Sequence, residues 1–103
     1  MKVIWHPLAL ANRRNIADYI LNKFGNKSKK KFLKAITDKI RLIKLNPDIA
    51  PIDPLFETYT DIYRSVIIDS LSKMVYYVET DTIHIAGFWD CRCEPSSQAK
   101  RVK

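Results

Sequence analysis

Glycine is nearly absent from this chain: Gly25 and Gly87 are the only two among 103 residues. A phosphate-cradling loop needs several glycines within a short span, so nucleotide chemistry of the P-loop or dinucleotide-binding kind is excluded. Cysteine and histidine are equally scarce, at two each: Cys91, Cys93, His6 and His84. Structural zinc motifs draw their ligands in pairs a few residues apart, and both histidines here are singletons, so no metal site is expected. Cys91 and Cys93 sit two apart on extended chain, pointing the same way across stiff backbone, which suits no mutual disulfide. Without a Cys-x-x-Cys at a helix start they are not a redox pair either, and reduced bystander thiols are expected. No motif for a serine or cysteine nucleophile surrounds His6 or His84. No apolar run approaches the roughly 20 residues of a membrane span. Lys2 followed by Val3-Ile4-Trp5 and Pro7 is not a signal peptide, so a cytoplasmic protein is expected.

Acidic residues are missing from the first half. Residues 1–47 hold Asp18 and Asp38 against 12 Lys and Arg, a net +10, whereas residues 48–95 are net −6 and the last eight add three cations. Such a footprint favours an acidic partner, either nucleic acid or an acidic protein segment. The chain length suits one domain with one core, here residues 1–95, followed by a basic tail at 96–103.

Periodicity gives the elements. Lys2 to His6 reads as a short strand stopped by Pro7, which fits the first turn of a helix because its missing N–H has no partner there anyway. Leu8, Ala11, Ile16, Tyr19, Ile20 and Phe24 recur at three- and four-residue steps and predict an amphipathic helix ended by Gly25. A second helix is expected from an N-cap at Ser28 to about Asn46, with Phe32, Ala35, Ile36, Ile40 and Ile43 on one face. Pro47, Pro51 and Pro54 then mark a loop to about Asp61. Three β-patterned runs follow, Ile62–Asp69, Lys73–Glu79 and Thr82–Asp90, spaced as an antiparallel meander. Alternation places Met74, Tyr76, Val78, Ile83, Ile85 and Trp89 toward the helices, and His84, Ala86 and Phe88 on the other face, with Gly87 marking a bulge or a close approach. The expected fold is α+β: an N-terminal strand and an antiparallel helical hairpin packed on a small, mainly antiparallel sheet.

The order and spacing of Trp5-x-Pro7-x-Ala9, Leu45-x-Pro47, Tyr63-Arg64, Lys73-Met74-Val75-Tyr76-Tyr77-Val78, Asp81-x-Ile83-x-Ile85 and Trp89-Asp90-x-Arg92-x-Glu94-Pro95 resemble the RelE/ParE superfamily of bacterial toxins from type II toxin–antitoxin modules. The resemblance implies growth arrest relieved by a cognate antitoxin, with no cofactor. It leaves two mechanisms open. RelE-type members cut mRNA in the ribosomal A site, with basic residues on the sheet and often a Tyr or His just after the last strand; ParE-type members inhibit DNA gyrase by binding. Arg64, Lys73 and Arg92 fall at or near the family's basic positions and are the candidate target-binding residues. After Arg92 the chain reads CEPSSQAKRVK, with neither Tyr nor His, so for RNA cleavage Tyr77 or His84 would have to move protons. The tail therefore favours gyrase inhibition over mRNA cleavage, and a non-toxic basic module that binds nucleic acid or protein is the third alternative.

Overall fold

The computed structural model describes residues 1–54, 62–68 and 72–90, with backbone alone at 89 and 90. Strand β1 (Lys2–Trp5) leads through His6 into helix α1 (Pro7–Phe24), whose first residue is the proline that the missing N–H permits. One residue reverses the chain. Gly25, at φ 97°, donates its N–H to Leu21 O at 3.0 Å and accepts Lys29 N–H at 3.2 Å, so it closes α1 and opens helix α2 (Asn26–Leu45). The expected N-cap at Ser28 is therefore wrong: Ser28 lies within α2. A residue able to take positive φ makes the turn alone, and no hydroxyl cap is formed. Asn46 then ends α2, bonding Leu42 O through its backbone N–H.

The sheet is mixed, in the order β1-β4-β3-β2, with β2 at Arg64–Ile67, β3 at Ser72–Glu79 and β4 at Thr82–Asp90. β2 pairs antiparallel with β3 and β3 with β4, as the meander requires, whereas β1 lies parallel to β4. β2 is shorter than the expected run. Beside its outer edge the loop segment 51–53 runs back along it: Asp53 N–H donates to Tyr63 O at 2.8 Å and Ser65 N–H to Pro51 O at 3.1 Å.

Between α-hairpin and sheet, Phe32, Ile36 and Ile43 of α2 and Ala9 and Ala17 of α1 pack on Met74, Tyr76, Ile83, Ile85 and Phe88. Phe88 is a correction. Val75 pairs with Gly87 but Tyr76 pairs with Ile85, so Ala86 is an extra residue that re-phases the strand. Phe88 thereby faces Met74 in the core and stacks on Trp5 at 5.5 Å, and the alternation that assigned it to the outer face fails beyond the bulge; the side chain of Trp89, expected inside, lies outside the described residues. Val78, expected inside, is partly exposed at its end of β3. Among the described residues no helix is long and apolar enough to cross a membrane.

Candidate functional site

Of the three cations singled out in the sequence, the two that lie among the described residues, Arg64 and Lys73, do not share a surface. Arg64 stands opposite Tyr76 in the β2–β3 register, so it lies on the helix-facing side of the sheet. From there its guanidinium donates to Ala50 O at 2.8 Å and meets Asp48 Oδ1 at 3.4 Å, fastening the loop that follows α2. Tyr76 secures the same loop through a hydrogen bond from its hydroxyl to Pro47 O at 2.9 Å. Burial pushes the Tyr76 phenol above its usual range, which keeps it a neutral donor rather than a proton acceptor.

Lys73 has the opposite parity and lies on the other face. Its Nζ is 2.9 Å from Asp53 Oδ2, in a pair whose carboxylate is almost wholly buried and whose lysine side chain is 15% exposed. Arg92, with Cys91 and Cys93, lies outside the described residues, as does the expected tail at 96–103.

Tyr77 and His84, the candidate proton-transfer groups, are brought together. They pair across β3 and β4, and their rings stack at 4.6 Å with planes 1° apart. His6, which the sequence treated as an isolated histidine, joins them: its Nε2 is 3.0 Å from His84 Nδ1. Its ring sits edge-on to both Tyr77 and His84, while Tyr63 leans on Tyr77 at 5.1 Å. The signal that could have found His6 is the parallel pairing of β1 with β4, which sets Ile4 opposite His84 and carries His6 alongside. Lys73 is four residues from Tyr77 along β3, about 13 Å at strand rise, so the cation and the ring cluster are separate features.

The His6 imidazole is held below its ordinary pKa, first by burial and then by the neighbouring His84. In the unfolded chain it titrates near 6.5, and in the folded chain lower, so the unfolded state takes up the proton first on acidification. The stability carried by neutral His6 is complete above that unfolded value and is lost as pH falls through the folded one. Melting followed from pH 7 to pH 5 should show a steeper loss for the native chain than for His6→Gln; parallel curves would show that His6 protonation is not linked to folding.

A second feature lies between the hairpin and β1. A cavity of about 550 Å³ is lined by apolar Trp5, Leu33, Ile36 and Ile40 together with Arg13, Arg41 and Lys44. Arg13 lies over the Trp5 ring at 4.5 Å, a cation–π contact that holds it at the opening between α1 and the sheet. The cavity combines apolar surface with positive charge.

A family model for the ParE toxin of the type II toxin–antitoxin system, parDE, matches residues 3–94. A search of curated proteins gives no match. Among solved structures, the chain resembles one from a chromosomal ParDE toxin–antitoxin system of P. aeruginosa, with TM-score 0.68 and 15% identity over 87% of this chain and 95% of that one. It also resembles the YoeB dimer from Staphylococcus aureus, with TM-score 0.61 and 23% identity over 86% of this chain and 94% of that one. At these identities the likeness is one of fold.

Proposed function

The chain belongs to the ParE toxin family of type II toxin–antitoxin systems, and from that premise we propose that it arrests growth by binding DNA gyrase in the cytoplasm and is neutralised by a cognate antitoxin. The observation that supports the gyrase reading is that, among the described residues, the candidate cations Arg64 and Lys73 stand apart from the proton-transfer groups. Cleaving RNA through its 2′-OH needs a base, an acid and a cation converging on one phosphate. Here Arg64 holds the chain's own loop, Lys73 holds Asp53, and neither sits with Tyr77 and His84. Inhibition by binding needs no such convergence. Arg92 remains the proposed target contact, and the apolar and basic cavity beside α2 is the proposed seat for an acidic, amphipathic antitoxin segment, by charge complementarity.

The cluster of His6, His84 and Tyr77 favours a second reading, ribosome-dependent mRNA cleavage, because imidazoles titrate where general acids and bases work. One pair of assays separates the two. Purified protein should inhibit gyrase supercoiling, His84→Gln should inhibit it equally, and ribosome-bound mRNA should stay intact. Cut mRNA that is spared by His84→Gln, with supercoiling unaffected, would reverse the ranking.

A further inference from the structure

We propose that His6 and His84 form a two-nitrogen chelate for a divalent transition ion that prefers cis, tetragonal geometry, Cu²⁺ first and Ni²⁺ next. Imidazole nitrogens bind such ions at about 2.0–2.1 Å, and two nitrogens 3.0 Å apart then subtend about 94° at an ion held equally by both. That is close to the right angle between neighbouring ligands in square-planar or tetragonal Cu²⁺ and Ni²⁺ sites. Tetrahedral zinc needs about 3.3 Å between the same atoms by the same bond length, so it requires the pair to open. The order of ion affinities on nitrogen ligands also puts Cu²⁺ highest.

The two nitrogens are already within 3.0 Å, one donating to the other; an ion held equally by both sits off the line between them, so each ring must also turn its lone pair away from that contact. Admitting an ion requires the donor ring to carry its proton on its other nitrogen. Each neutral imidazole then keeps one N–H and presents one lone pair, so the exchange is a tautomeric shift with no oxidant, reductant or net proton release. Water fills the remaining coordination positions.

The two residues are held beside each other before any ion arrives. Tyr77 stacks flat on His84, and Tyr63 supports Tyr77. His6 is fixed by its own backbone, which precedes Pro7 at the start of α1 and donates its N–H to Ile85 O at 3.0 Å on β4. Burial favours the neutral His6 that metal binding needs. The two residues are 78 apart in sequence, which is why a search for closely spaced ligands passes over them. The proposal is independent of the toxin's target.

The test uses the full chain with Cys91→Ser and Cys93→Ser, so that thiolates do not compete for the ion. Calorimetric titration with Cu²⁺ and with Ni²⁺ at neutral pH should give one ion per chain. Adding either His6→Gln or His84→Gln should weaken binding at least about tenfold, because the second arm of a chelate binds as an intramolecular step. A measurement without histidine variants runs beside it: substoichiometric Cu²⁺ should broaden the imidazole NMR signals of both histidines together. The proposal is overturned if the two-histidine protein binds no more tightly than either single-histidine variant, or if only one ring broadens.

Discussion

Lys73→Ala and Asp53→Ala should each lower stability by about 3–5 kcal/mol, the usual cost of removing one partner of a buried ion pair. The pair is 2.9 Å apart with the carboxylate side chain 3% exposed, so solvent screens it little. Loss of Lys73 strips the ammonium from a short acid that cannot reach water; loss of Asp53 leaves a longer cation whose stem can carry it outward. Lys73→Ala should accordingly be the more damaging of the two. Domains of this size are stable by about 5–15 kcal/mol, and 1 kcal/mol shifts Tm by roughly 4–8 °C, so either variant should melt at least about 12 °C early. Replacing both residues by apolar ones of similar size should restore much of the loss, since the desolvation of two charges disappears together. Thermal melting of the two single variants and the double variant decides the matter. If both single variants melt within a few degrees of the native chain, the pair is not structural, and Lys73 returns to the list of target contacts.

That result bears on how far the sequence could be read. The hairpin and the meander follow from local pattern: Phe32, Ile36 and Ile43 recur at helical spacing, Pro7 and Gly25 bracket α1, and Thr80-Asp81 joins β3 to β4 with Thr80 at φ 55°, as a tight two-residue connection requires. Faces and partners did not follow so easily. Arg64 and Lys73 both stand at strand starts, but which side each takes depends on register, and their partners lie in a proline-rich loop with no period to align. Asp53 looked like one of several loop acids. His6 and His84 meet through a parallel pairing of the first and last strands, a long-range contact with no local signature. His84 was legible as an outward residue, because it precedes the bulge on β4.

Phe88→Ala should be comparably severe, at about 3–5 kcal/mol, as large aromatic truncations in closed cores are. Phe88 is 1% exposed, faces Met74 across the strands and stacks on Trp5 with planes 10° apart, so its removal opens a cavity bounded by the sheet and by the ring that joins β1 to the core. Strict alternation along β4 would put this side chain on the opposite face, where truncation costs little; the extra residue at Ala86 is what turns it inward. Phe88→Leu, which keeps much of the volume, should fall well short of the alanine loss. A chain lacking Ala86 tests the phasing itself. With the bulge closed, either Phe88 leaves the core or the strand before it shifts by one and carries His84 away from Tyr77 and His6, so this variant should fail to reach the native fold. Circular dichroism melts of the three variants supply the measurement. A Phe88→Ala protein that melts with the native chain would show that the inward phasing contributes nothing to stability, and would remove the reason that the last strand presents His84 to the ring cluster while Phe88 anchors its far end.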